Sequence, residues 1–123
     1  MNNKGQSLVL FVLIIPILLL VIIGVYDIGK MSLLKSELDD INNIAIDYGL
    51  DNMDSTSIEN DIRALIIKNK SDIDNVEIVI EDDKIYIKLE DTINVKLFSK
   101  LFNVKSSYVG YIDDDKKVIE RNR

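Results

Sequence analysis

The 123-residue sequence predicts an α+β fold: a long N-terminal helix, transmembrane in its first half, that leads into a small domain with a second helix and a three-stranded antiparallel sheet. Three observations carry that expectation. An uncharged apolar run fills the stretch between Lys4 and Asp27, a helical apolar stripe follows it without a break, and two alternating segments flank Asp82-Asp83.

Fifteen of the sixteen residues from Leu8 to Ile23 are Leu, Ile, Val or Phe, and the exception is Pro16. At about 1.5 Å per helical residue, Leu8 to Tyr26 spans roughly the 30 Å hydrocarbon core of a bilayer. Each such residue contributes about −0.3 to −0.6 kcal/mol at the centre of an inserted helix, so the run supplies at most about −5 to −9 kcal/mol. Pro16 frees the Val12 carbonyl and predicts a local kink, but one lost backbone bond does not offset that sum. The run is too long for a cleaved secretory signal, and no Ala-x-Ala-like site follows it. Lys4 and the α-amino group precede the run, and only the C-terminal part is large enough to work outside. The expected place is the cytoplasmic membrane, N-terminus in and C-terminal domain out.

Beyond the run, Met31, Leu34, Leu38, Ile41, Ala45 and Tyr48 follow spacings of 3, 4, 3, 4 and 3, a heptad seam. Lys35, Glu37, Asp39, Asp40, Asn42 and Asn43 fall between them and read as solvated faces. Gly49 is placed to cap the helix, with a loop at Asp51, Asn52 and Asp54. One helix from about Gln6 to Tyr48 is expected, its seam covering the chain's own domain, packing against identical or related helices, or both. The division is a leader at 1–5, a helix at 6–50 and a small domain at 51–123.

In that domain Thr56 and Glu59 fit a capping box, and Ile58, Ile62, Leu65 and Ile66 line one face of a helix reaching about Lys70. With Asp82-Asp83 as a two-residue turn, Glu81 faces Lys84, Val79 faces Tyr86 and Glu77 faces Lys88. On the other face Ile80 meets Ile85, Ile78 meets Ile87 and Val76 meets Leu89. A slip by one residue would set charges opposite branched apolar side chains. Leu97, Phe98, Leu101 and Phe102 suggest a short amphipathic helix or turn, residues 104–112 a third strand, and residues 113–123 a frayed polar end.

Chemistry is narrowly bounded. The absence of Cys and His excludes thiolate chemistry, Cys/His zinc sites and a His-based triad. All 21 Asp and Glu lie from Asp27 onward, against 14 of the 15 Lys and Arg, so the part after the run is acidic. That balance argues against nucleic acid or an anionic membrane surface as partner. Asp72, Asp74 and Asn75 begin like a calcium loop, but the required Gly is missing and apolar residues take later ligand positions. Asp113, Asp114 and Asp115 read as a solvated charge run. No phosphate loop, activated nucleophile or acid–base pair is present, so no catalytic residue, cofactor, metal or small-molecule substrate is expected.

The N-terminal stretch GQSLVLFVLIIPILLLVIIGVYDIGK resembles the start of TadE-like proteins, the pseudopilins or minor pilins of tight-adherence, Flp-type pilus systems. The matching positions are Gly5, the small polar pair Gln6 and Ser7, Pro16 in the first half of the run, and the exit Gly24, Asp27 and Gly29. The resemblance covers about a quarter of the chain. It implies a pilin-like precursor that a prepilin peptidase cuts between Gly5 and Gln6. It also implies a helix, including Leu8, Leu10, Phe11, Pro16 and Gly24, that anchors the subunit and then packs with pilin or pseudopilin subunits. Pilins and many relatives carry Glu at the fifth position after the cut. Leu10 stands there instead, which points to a minor or assembly-initiating subunit. The competing expectation is a single-pass signal-anchored envelope protein whose outer domain binds another protein.

Overall fold

A computed structural model describes residues 3–96 and 99–122. Helix α1 runs unbroken from Asn3 to Asp51, through Pro16, about 73 Å at 1.5 Å per residue. Helix α2 spans Ile58–Asn69. Four strands follow: β1 (Asn75–Glu81), β2 (Lys84–Val95), β3 (Lys100–Asp113) and β4 (Lys116–Arg121). They form one antiparallel meander in the order β1-β2-β3-β4. The class is α+β, with four strands where the sequence predicted three.

The first hairpin has the register expected from charge and alternation, from Glu81 opposite Lys84 to Val76 opposite Leu89. Its turn is Asp82-Asp83, with φ of 53° and 62°. Positive φ at both central residues matches the right-handed twist of the strands, and Asp tolerates that region better than most side chains. The chain repeats the device at Asp114-Asp115, φ 49° and 63°, which turns β3 into β4. The end that the sequence left as frayed is therefore an edge strand. Its side chains are mostly polar, with Val118 and Ile119 half-buried, so the apolar alternation that marks β1 and β2 is nearly absent.

Three other expectations are corrected. Leu101 and Phe102 belong to β3, facing Asn94 and Ile93 of β2, because the two strands stay paired as far as Val95 and Lys100. Leu97 and Phe98 lie outside the described residues. The capping box does not form: α2 starts after Ser57, which puts Glu59 one position too early, and Glu59 instead approaches Arg63 at 3.8 Å. Gly49 is not the cap of α1. The helix passes through it, and Asn52 closes the end by donating from Nδ2 to the Tyr48 carbonyl at 2.8 Å.

The core lies between the second half of α1, the inner face of α2 and one face of the sheet. Leu38, Ala45 and Ile46 of α1, Ile62 and Ile66 of α2, and Ile85, Ile87 and Leu89 of β2 have almost no exposed surface. Glycine permits two close approaches here. A Cβ on Gly49 would stand 2.6 Å from Ile85 Cδ1 and 2.8 Å from Ile62 Cδ1, and one on Gly110 would overlap Ile46 Cγ2. Small residues at these crossings let α1 lie close against α2 and against β3.

Candidate functional site

The candidate site residues singled out in the sequence lie at the front of α1 and along its seam, so the site is built from there outward. No described residue before Asp27 is buried, and the large apolar side chains from Leu8 to Val25 stand open. Leu8, Leu10, Phe11 and Pro16 are exposed, while Gly24 is half-buried. By length and composition α1 is a candidate membrane span. A stretch that is apolar all round cannot be a water-facing helix; it needs lipid or other helices. Gly5 and Gln6 sit within the first turns of the same helix.

The expected seam divides along its length. Met31 and Leu34 are half-buried, and Leu38, Ile41 and Ala45 are buried against the chain's own sheet. Tyr48 is 37% exposed and leaves the stripe. A straight helix drifts by about 20° per heptad relative to a strict seven-residue repeat, and over Met31 to Tyr48 that is nearly half a side-chain spacing. The buried stripe consequently turns onto Asn42, Ile46, Gly49 and Leu50. The seam is used inside the chain's own domain, which leaves the apolar run as the open apolar surface of α1.

Asn42, expected on a solvated face, has no exposed surface. Its Nδ2 donates to the carbonyls of Ile87 and Ser106 at 3.0 and 3.1 Å and to Ser106 Oγ at 3.2 Å. Ser106 Oγ in turn donates to Asp39 Oδ1 at 2.7 Å, which also takes Lys35 Nζ at 2.9 Å. This polar string crosses from α1 to β2 and β3 in an otherwise apolar core. It fixes how far α1 can slide or rotate on the sheet, since a shift of one residue would strand buried donors.

A second tie holds the sheet to the end of the apolar run. Asp27, from the Gly24–Asp27–Gly29 exit, is 3% exposed, and its Oδ1 accepts the Lys96 backbone N–H at 3.2 Å. Lys96 and Lys30 set their ammonium groups 5.1 and 5.4 Å from the centre of the Tyr26 ring. The β2–β3 end of the sheet therefore reaches the last residues of the apolar segment.

The acids of the calcium-like segment have structural partners. Asp72 lies 3.2 Å from Lys70 Nζ, and Asp74 accepts from Thr92 Oγ1 at 2.7 Å. Lys70, only 16% exposed at its side chain, also faces Glu37 and the buried Asp91, linking α1 and β2 to the C-terminal end of α2. Burial opposes its charge, but the hydrogen bond with Asp72 and the fields of Glu37, Asp72 and Asp91 outweigh it and raise its pKa. The Lys70 hydrogen bond, first, and its charge lower that of Asp72. Among the described residues no group of three or more acids is placed to hold a metal ion. The calcium-like segment leads into β1, and the triple-Asp segment ends β3 and forms its turn to β4.

Asp27, Asn42 and Lys70 are the residues that sequence reasoning did not single out as structural centres. A signal existed for Asn42, which lies four residues from Leu38 and three from Ala45. Asp27 gave none, and Lys70 showed only its neighbour Asp72, because Lys96 in the one case and Glu37 and Asp91 in the other are distant in sequence. Fold and surface together define an α+β domain carried on a single candidate membrane-spanning helix. No family model, no curated protein and no solved structure matches the chain.

Proposed function

We propose that the protein is a non-catalytic, TadE-like pseudopilin or minor pilin that acts in assembly of a tight-adherence pilus or a related secretion system. The observation that carries the reading is the exposed apolar front of α1, headed by Gly5-Gln6-Ser7 and closed by Gly24–Asp27–Gly29. Such a helix moves between lipid and a bundle of similar helices at little cost, since both surroundings are apolar. A prepilin peptidase acting between Gly5 and Gln6 would remove a five-residue leader and keep the helix. The domain outside then rides on α1 as a rigid body through the Asn42 string and the Asp27 tie.

Leu10 favours a second reading, a signal-anchored envelope protein with an outer protein-binding domain, because the position lacks the carboxylate that pairs with a neighbour's α-amino group in many pilins. Comparing the parent chain with a Gly5 variant separates the two: the pilin-like reading expects the parent to lose residues 1–5, and the signal-anchor reading expects a full-length parent. With the cognate peptidase present, Gly5→Ala is expected to remain full-length by intact mass while still partitioning into membranes. Unchanged maturation in that variant would overturn Gly5 as the cut residue.

A further inference from the structure

We infer that the β2–β3 end of the sheet is a second, peripheral membrane contact that docks on anionic phospholipid headgroups beside α1. This rests on the reading of α1 as a membrane span and adds to it a specific surface with a specific lipid chemistry.

Depth comes first. Tyr26 ends the apolar segment, Asp27 follows it, and the Lys96 backbone is bonded to Asp27. Once the segment from Leu8 to Tyr26 fills the hydrocarbon core, Lys96 lies in the headgroup layer. The rest of the sheet runs away from that level along α1. Lys35 donates to the Lys105 carbonyl, Asn42 to that of Ser106, and Lys117 near the start of β4 pairs with Asp47 and Asp51.

Charge is sorted along the same axis. Residues 92–106 contain Lys96, Lys100 and Lys105 and no acid, residues 28–36 contain Lys30 and Lys35 and no acid, and Asp27, the acid at this level, is buried under the Lys96 N–H. Lys35 is taken up by Asp39, and Lys105 stands opposite Glu90, so Lys30, Lys96 and Lys100 form the basic rim. The far end collects Asp47, Asp51, Glu81, Asp82, Asp83, Asp113, Asp114 and Asp115 against Lys84, Lys116 and Lys117, so it is acidic on balance. The acidic balance of the whole chain hides this polarity. An anionic surface attracts the near end and repels the far one, which sets the domain upright.

Apolar side chains flank the rim on the two faces of the sheet end. Leu101 is 72% exposed, and its neighbour Phe102 is also open. They stand one and two residues from Lys100 in β3, opposite Asn94 and Ile93 near the end of β2. Exposed Leu and Phe beside Lys, at the depth of an interfacial Tyr, is the composition of a segment that rests in the headgroup boundary.

The chain has no Cys, so single-cysteine labelling reads the contact without background. Full-length Leu101→Cys, Asp114→Cys and Leu13→Cys, each carrying an environment-sensitive fluorophore, are reconstituted in two kinds of vesicle. One is phosphatidylcholine alone, and the other is an equal mixture with phosphatidylglycerol. In the mixture, the label at 101 is expected to shift to the blue and be quenched by lipids brominated near the headgroup, whereas the label at 114 stays wet. Lys96→Gln and Lys100→Gln should each weaken the contact about fivefold. The backbone bond from residue 96 to Asp27 survives either change. A label at 101 as wet as that at 114, with 13 quenched in the core, overturns the second contact and leaves the membrane span standing. No quenching at 13 overturns both. A blue shift at 101 that ignores phosphatidylglycerol and grows with protein density assigns the patch to a second copy and overturns the lipid proposal.

Discussion

Gly110→Ala tests whether the close approach of α1 to β3 holds the domain together. The new Cβ would overlap Ile46 Cγ2 and stand 3.4 Å from Leu50 Cδ1. Ile46 is fully buried, and a β-branched residue in a helix has essentially one χ1 rotamer, so it cannot swing aside. Overpacking of this kind costs about 1–3 kcal/mol. Replacing a strand Gly returns roughly 0.5–1 kcal/mol of backbone entropy. The net expectation is a loss of about 1–2 kcal/mol, and each kcal/mol lowers the midpoint of a domain this small by roughly 4–8 °C. Ile46→Ala alone should cost about 2–5 kcal/mol, but it also removes the obstructing methyl. The double variant should therefore be more stable than the summed single effects by about 1–2 kcal/mol. Thermal unfolding of the full chain in detergent, followed through the fluorescence of its five tyrosines, of which Tyr86, Tyr108 and Tyr111 lie in the sheet, measures all four proteins. Additive losses, or a Gly110→Ala protein as stable as the parent, would refute the helix–strand contact.

Three further outcomes are expected. Asn42→Asp removes the donors to Ile87, Ser106 and Ser106 Oγ and buries a charge beside Asp39, so it should destabilise by about 3 kcal/mol or more at neutral pH. That defect should shrink on acidification, as protonation removes the charge; a pH-independent defect would count against the buried string. Converting Asp82-Asp83 to Asn-Gly suits φ of 53° and 62° and should stabilise by about 1 kcal/mol in urea unfolding, whereas a loss would mean that the turn is not the two-residue form. Stability should also fall at both ends of the pH scale. Asp72 and Glu90 have lowered folded pKa values, so their contribution is present above the ordinary carboxylate values and is lost as pH falls through the folded ones. Lys70, Lys88 and Lys117 are raised, so theirs is present below the ordinary lysine value and is lost as pH rises through the folded ones. A midpoint that keeps rising below about pH 4 or above about pH 11 would contradict these pairings.

How much of this could be read from the residues depended on whether each signal was local. The register of β1 and β2 was legible because both faces carry information: apolar pairs inside and Glu–Lys pairs outside. β4 was not, since an edge strand needs little apolar surface, and only the repeated Asp-Asp-Lys pattern at 82–84 and 114–116 marked it. The seam was legible in its middle and failed at its end, because a strict heptad assumes a supercoil while α1 packs straight against a sheet. Gly49 looked like a cap from its neighbours in sequence, and its real constraint comes from Ile62 and Ile85. The apolar run was the clearest feature of all, being legible by length and composition. The tie from Asp27 to Lys96 spans 69 residues and had no local trace.

The most direct test of the proposed role is the intact mass of the native chain extracted from the membrane fraction of cells that hold the cognate assembly system. The expected species begins at Gln6, lacks residues 1–5 and retains the whole of α1. A full-length chain in that fraction, or one cut after the apolar run and released from the membrane, would contradict the pilin-like reading.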